Sequence, residues 1–341
     1  MLKHIKMKIA FFDVEPWEKE YLKKEMKKHT LKFFSGHLTT NAAKKIKNYE
    51  GLSVFVYSKV RKELLDLLPK LKVISTRSTG YDHIDVAECK KRNIPVLNVP
   101  TYGENTVAEH TFALLLALSR KIPKSVNKVR MGHFDLEGIR GFDLKDKTIG
   151  IIGLGNIGKH VARIAYGFEM NIIAFDLHQD KKFAKKFGVT YKSFDHILRN
   201  ADILTFHVPL NEHTHHLINI SNIKYMKKGS YIINTSRGKV IETSALLSGL
   251  KKNILSGVAL DVLENETFIP EESVLLSQKY LETQEKDIKL ILEEHILTEQ
   301  KNVIITPHNA FNSKEAIIRI LDTTINNLKC FAGKKCVNRI G

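Results

Sequence analysis

Gly153, Gly155 and Gly158 stand in TIGIIGLGNIGKHVARIA, residues 148–165, as G-x-G-x-x-G directly after an apolar run and at the start of an amphipathic helical pattern. Only glycine permits the tight turn, the close approach of backbone to a pyrophosphate and the close strand–helix contact, while the helix N-terminus favours the anion. The next apolar run, NIIAFD, ends in Asp176, 18 residues after Gly158. An acidic side chain there accepts hydrogen bonds from the hydroxyls of an adenosine ribose and repels a 2′-phosphate. This context points to NAD as the bound dinucleotide; the nearby Lys181 and Lys182 are the residues that speak for NADP.

Such a turn needs a parallel sheet to carry it, and short apolar runs do alternate with helical-period segments along nearly the whole chain. That is the pattern of an α/β architecture with crossover helices. KIAFFD (8–13), SVFVY (53–57), KVIS (72–75) and PVLNV (95–99) are the strand candidates of a first, smaller unit. TIGIIG, NIIAFD (171–176), ADILTFHV (201–208), SYIINTS (230–236), LSGVALDV (255–262) and NVIITP (302–307) form a second, more regular series. Between them ENTVAEHTFALLLALSRKI, residues 104–122, is apolar on nearly all sides and predicts a helix buried between layers or between subunits. An amphipathic helix over about 313–331 is expected to pack back on the first unit. The expected division is 1–102 with 311–341 as one domain and 103–310 as the other.

Length and composition agree with two soluble cores: 341 residues, 43% hydrophobic and 27% charged, exclude a disordered, fibrous or membrane-embedded chain. The formal net charge of +17 raises nucleic acid as a partner. The lysines, however, are spread through every segment, as in YLKKEMKKHT and DKKFAKKFG, so a dedicated nucleic-acid footprint is not expected. No apolar run approaches the roughly 20 residues that span a bilayer, and the opening MLKHIKMKIAFFDV lacks a cleavable signal's pattern. Cys89, Cys330 and Cys336 are too few for a disulfide framework and read as reduced thiols, with the cytoplasm as the default compartment. His213, His215 and His216 lack a Cys or carboxylate partner at ligand spacing, and no metal is expected.

RSTGYDHID (77–85), NVPTYGENTVAEH (98–110), GIIGLGNIG (150–158), HVPL (207–210), NTSRG (234–238), GVALDVLENE (257–266) and ITPHNAF (305–311) together resemble the D-isomer-specific 2-hydroxyacid dehydrogenases, in order, over roughly residues 7–330. The resemblance implies two Rossmann-like domains with parallel sheets, the larger doubly wound and holding NAD. Within the family the chain looks like the D-lactate dehydrogenases. It has the long segment Thr267–Lys301 after Glu266, with Thr267 where phosphoglycerate and glycerate types usually have Pro, the aromatic Phe311 after TPHNA, and the Tyr of VPTYGEN. Pyruvate and D-lactate are the implied pair. Hydroxypyruvate or glyoxylate, 2-oxoisocaproate and phenylpyruvate stay open as substrates, and corepressor relatives, which use NAD binding to control assembly, offer a reading of another class.

By the same resemblance Arg237, Glu266 and His308 are the catalytic residues. A guanidinium holds a planar carboxylate in two-pronged geometry while polarising the neighbouring carbonyl. An imidazole delivers a proton to the carbonyl oxygen, and a paired carboxylate favours its charged form. Besides the glycines and Asp176, the cofactor contacts implied are Asn156, Ile157, His207, Val208, Pro209, Thr214, Thr235, Ser236, Arg237, Asp261 and His308, with Asp261 bonding the nicotinamide carboxamide. Ser78, Thr79 and Gly80, whose loop amides suit a carboxylate, are substrate candidates with Arg237, and Tyr57, Tyr102 and Phe311 are candidate pocket walls. The cleft between the domains is the expected active site. A homodimer built around the 104–122 helix is the expected assembly.

Overall fold

Two parallel sheets account for the alternating pattern. The computed structural model describes residues 6–266, 285–333 and 337–340. The chain divides into two units, Met1–Gly103 with Asn312–Gly341, and Glu104–Phe311. In chain order the first unit has β1 (Lys8–Phe11), α1 (Pro16–Glu25), β2 (Thr30–Phe33), α2 (Thr40–Lys44), β3 (Gly51–Val54), α3 (Lys62–Leu65), β4 (Val73–Thr76), α4 (Val86–Lys91) and β5 (Val96–Leu97). The second unit follows with α5 (Glu104–Ser119), α6 (Ile122–Arg130), β6 (Thr148–Ile152), α7 (Asn156–Gly167), β7 (Asn171–Phe175), α8 (Lys181–Lys186), β8 (Val189–Tyr191), α9 (Phe194–Asn200) and β9 (Ile203–Phe206). It continues with β10 (Ser230–Asn234), α10 (Thr243–Lys251), β11 (Leu255–Leu260), α11 (Glu285–Thr298) and β12 (Val303–Ile305); the chain then returns to the first unit with α12 (Lys314–Gly333) and β13 (Arg339–Ile340).

In the first unit the strand order is β13-β5-β4-β3-β1-β2, parallel except for β13 against β5. Helix α12 packs back here as expected: Leu321, Ile325 and Leu328 join Ile9, Phe11, Leu22, Val73 and Leu97 in one apolar cluster. The second sheet runs β12-β11-β10-β9-β6-β7-β8, and its neighbouring strands are all parallel. Its chain direction across the sheet reverses at β6, so the exits of β6 and β9 flank a topological switch point, where open α/β sheets bind ligands. Alternation along each strand feeds two cores. Ile149, Ile151, Ile203, Ile233 and Ala259 face one, and Ile152, Leu204, Phe206, Ile232, Val258 and Leu260 face the other.

Strand and helix limits differ from the sequence reading in instructive ways. The run read as SVFVY forms its strand earlier, over Gly51–Val54, which leaves Phe55 and Tyr57 beyond the strand end. Strands β2 and β8 lie at sheet edges, and β2 is only half-buried, so TLKF and VTY carry too little apolar signal to announce themselves. Of the insert after Glu266, Glu285–Thr298 is helix α11, and residues 267–284 lie outside the described residues. Cys89 is a buried free thiol whose pKa burial pushes up to about 11. Cys330 is disulfide-bonded, which corrects the reading of three reduced thiols: too few cysteines for a framework are still enough for one bridge. Among the described residues no helix is long and apolar enough to cross a membrane.

Helix α5 is buried between layers, one of the two arrangements its sequence predicts. Its all-round apolarity is consumed inside its own unit: Ala108, Phe112, Leu114, Leu115 and Leu118 pack with Ile149 and Ile151 of β6 and with Val161, Ala162 and Ala165 of α7. The exposed apolar residues come afterwards, at Ile122, Val126 and Val129 of α6 and at Met131, Phe134 and Leu136. Leu115→Ala is therefore expected to cost about 2–5 kcal/mol, the range for emptying a packed core position, whereas Val126→Ala should stay within about 0.5 kcal/mol. Urea unfolding of both variants checks this, and equal effects would contradict the packing described.

Candidate active site

The glycine turn joins β6 to α7 and is fixed by contacts that admit no side chain. Gly153 has φ +92°, and a Cβ there would lie 2.8 Å from the His207 carbonyl oxygen and 2.9 Å from Val208 Cγ1. At Gly158 a Cβ would stand 2.1 Å from the Gly153 oxygen. Gly155 is different: it is the residue before α7, it is exposed, and a Cβ would meet nothing within 4 Å. Open space in front of a twelve-residue helix's first amides is the cradle that a pyrophosphate fits. Asn156 is exposed at the start of the helix, and Ile157 is half-buried against the core.

Asp176, just past β7, does more than wait for a ribose. Its Oδ2 accepts the Leu154 amide at 2.6 Å and its Oδ1 the His178 amide at 2.8 Å, so it also clips the glycine turn to the neighbouring strand. Across the switch point the β9 exit carries His207, Val208 and Pro209. The His207 amide donates to the Ile152 carbonyl at 2.8 Å, tying this exit to the end of β6. Its Nε2 lies 3.0 Å from Thr205 Oγ1, while its buried Nδ1 has no partner among the described residues. Burial pushes this imidazole down to about 3, so it is neutral and its orphaned nitrogen suits a dinucleotide's polar groups. These features together fit NAD. Thr214 is spent on its own loop, donating to the Pro209 carbonyl at 2.6 Å and accepting the Asn211 amide at 2.8 Å. His216 Nε2 meets Glu264 at 2.7 Å, and its ring stacks on His215.

Three further strand exits carry Arg237, Glu266 and His308. After β10, the buried Asn234 shapes the turn: its Oδ1 accepts the Ser236 amide at 3.0 Å and hydroxyl at 2.8 Å, and its Nδ2 donates to the Arg237 carbonyl at 2.9 Å. Thr235 is buried, 3.0 Å from Thr111 Oγ1. The half-buried Arg237 guanidinium donates to the Ser236 carbonyl at 2.7 Å. Gly238 then brings this turn against the loop after β11, since a Cβ would stand 1.8 Å from the Leu263 oxygen. That loop carries Glu266. After β12, His308 Nδ1 lies 2.8 Å from Glu266 Oε2, with the two side chains 20% and 34% exposed.

Asp261, the residue expected to bond the nicotinamide carboxamide, is held by a set of polar groups of its own unit. It is 1% exposed; Oδ1 accepts the Thr306 hydroxyl at 2.5 Å and the Asn309 amide at 3.0 Å, and Oδ2 accepts the Ala310 amide at 2.8 Å. The His308 amide donates to the Asp261 carbonyl at 2.8 Å. His308 itself sits at φ +50°, a conformation uncommon outside glycine that this clamp enforces. Burial alone would raise the Asp261 carboxyl, but bonds from His110, Thr306 and the Ala310 and Asn309 amides outweigh it and hold it below the usual carboxylate range. Its sequence signal, an aspartate ending an apolar strand, was visible; that both oxygens turn inward was not. Asn234 and Gly238, which the sequence reading did not single out, stand within the NTSRG motif itself.

In the first unit, Tyr57, the 78–80 loop and Tyr102 follow the ends of the adjacent parallel strands β3, β4 and β5. Ser78 Oγ donates to the Gly80 carbonyl at 2.6 Å and Thr79 Oγ1 to the Val99 carbonyl at 2.8 Å, so these hydroxyls hold the loop and what it offers a ligand is backbone. Arg77, absent from the sequence-based set, is buried and donates to the carbonyls of Phe12 and Asp13 at 2.7 and 2.6 Å, tying the β4 exit to that of β1. Tyr57 is 41% exposed, its ring centroid 5.3 Å from that of His37. The Tyr102 carbonyl accepts Arg319 Nε. Phe311, half-buried, ends the second unit.

Comparison with known proteins follows this geometry closely. The family model for the D-isomer specific 2-hydroxyacid dehydrogenase NAD binding domain matches residues 112–310. A 2-hydroxyacid dehydrogenase homolog of Zymomonas mobilis is 36% identical over 338 residues, 96% of this chain and 98% of that one. An aromatic 2-oxoacid reductase of Clostridium sporogenes is 36% identical over 98% of this chain and 99% of its own. Among solved structures, the D-lactate dehydrogenase of Aquifex aeolicus, complexed with NAD and lactic acid, superposes with a TM-score of 0.82 at 36% identity, covering 95% of both chains. The chain belongs to the D-isomer specific 2-hydroxyacid dehydrogenases, NAD-binding oxidoreductases that act on the CH–OH group of 2-hydroxy acids.

Proposed function

We propose that this chain is a D-lactate dehydrogenase interconverting pyruvate and D-lactate, with Arg237, Glu266 and His308 as its catalytic residues. The observation that carries the reading is the 2.8 Å pairing of His308 Nδ1 with Glu266. It leaves Nε2 as the nitrogen that gives a proton to the carbonyl oxygen during reduction and takes it back during oxidation. Arg237 holds the substrate carboxylate and polarises the carbonyl beside it. When bound, NADH supplies the hydride from its nicotinamide C4. Separately, the Ser78–Thr79–Gly80 backbone offers amides of the kind that bind a carboxylate, with Tyr57, Tyr102 and Phe311 as candidate substrate-pocket side chains.

Lactate in the Aquifex relative supports the substrate, and the name of the Clostridium relative supports a second reading in which an aromatic 2-oxo acid is preferred. NADH consumption against pyruvate, hydroxypyruvate, glyoxylate, 2-oxoisocaproate and phenylpyruvate, with chiral analysis of the product, separates them. Pyruvate should give the highest kcat/KM and D-lactate the product; a preference for phenylpyruvate would replace the first reading by the second. Glu266→Gln should lower kcat for pyruvate reduction by about tenfold or more, because the imidazole loses the carboxylate that holds Nδ1 and so aims Nε2. An unchanged kcat would remove Glu266 from the role.

The homodimer is proposed on different residues from those the sequence suggested. Helix α6 buries none of its side chains, and Phe134 and Leu136 are 82% and 81% exposed. Such an exposed apolar series from Ile122 to Leu136 suits the same surface on a second copy. Sedimentation at micromolar concentration should show a dimer, and Val126→Glu with Val129→Glu should shift it to monomer. A monomeric wild type would contradict the assembly.

A further inference from the structure

The turn that presents Glu266 is gripped from two sides. On one, the Glu264 carboxylate accepts the Thr243 amide at 2.5 Å and meets His216 Nε2 at 2.7 Å. On the other stands Glu294 of α11, whose Oε1 accepts the Asn265 amide at 2.9 Å. Glu294 is 1% exposed. It lies three residues from Ile291 and three from Leu297, both buried, so helical phase turns it inward with them. A carboxyl so placed is costly unless it is bonded or neutral. Burial pushes its pKa up to about 7 against the Asn265 amide bond, and the Glu264 and Glu266 carboxylates push the same way as burial. Its bonded neighbour Asn265 directly precedes Glu266.

We propose that Glu294 is a positioning residue for Glu266: its carboxyl oxygen, held by α11, fixes the Asn265 amide and with it the turn that aims Glu266 at His308. The inference rests on the catalytic reading of the Glu266–His308 pair. A hydrogen-bond acceptor at the right reach is what this role requires, and a negative charge is not. Glutamine keeps that oxygen in place; aspartate keeps the charge but is one methylene too short to reach.

Steady-state pyruvate reduction by Glu294→Gln and Glu294→Asp tests this, together with Glu266→Gln and the double variant Glu266→Gln/Glu294→Asp. The glutamine variant should keep at least about half the wild-type kcat, and the aspartate variant should lose about tenfold or more, with KM for NADH unchanged, as expected when a catalytic group is misaimed. In the Glu266→Gln background Glu294→Asp should add little, because both changes act through one side chain. If the aspartate variant does not fold, Glu294→Leu, which fills the space without an acceptor, takes its place with the same expectation. The NMR signals of the His308 side chain in the free protein give a readout without turnover: Glu294→Asp should reproduce part of the chemical-shift change caused by Glu266→Gln. Asp equal to or better than Gln, equal losses from both, or a full additional loss in the Glu266→Gln background would overturn the proposal. No effect of Glu266→Gln would instead overturn the catalytic reading beneath it.

Discussion

A single buried carboxylate holds the backbone that carries His308. Asp261 bonds the Thr306 hydroxyl and the amides of Asn309 and Ala310, and it thereby holds His308 in a left-handed backbone conformation. Such a conformation persists only where its surroundings over-determine it, and these bonds do so. The clamp is durable toward acid. Because its folded pKa lies below the ordinary 3.8, the stability it contributes is complete above that value and is lost only as pH falls through the lower, folded one.

Around this clamp the second unit uses the ends of parallel strands as a common edge. The exits of β6, β7 and β9 form the dinucleotide side, and those of β10, β11 and β12 carry Arg237, Glu266 and His308. Close approach of backbones joins them: Gly153 lets the β9 exit touch the glycine turn, and Gly238 lets the Arg237 turn lie against the Glu266 loop. Position therefore comes from backbone contacts and buried polar bonds, while the Arg237, Glu266 and His308 side chains are only half-buried.

Much of this was legible in the residues. An apolar strand, three glycines and a helical pattern specify the nucleotide turn almost alone, whereas Arg237, Glu266 and His308 were picked out by the family resemblance of NTSRG, DVLENE and TPHNAF. What stayed hidden depends on which way a side chain turns. Asp261 ends a strand like Asp176, yet it closes inward, and only burial distinguishes them. Glu294 sits in ILEEHIL beside Glu293, and the phase set by Ile291 and Leu297 was its one signal. The apolarity of α5 was read as burial between layers or between subunits, and its packing on β6 and α7 takes up the first of these, because composition says that a face is covered and not by what. The short edge strands β2 and β8 escaped because half-buried edges need few apolar residues.

Pyruvate reduction by His308→Gln, paired with NADH binding measured by fluorescence, tests most directly whether this imidazole is the proton donor. Loss of a positioned acid should lower kcat by about 10²–10⁴-fold while NADH binds as in the wild type. A kcat within threefold of the wild type, or affinity lost in parallel with turnover, would contradict the assignment.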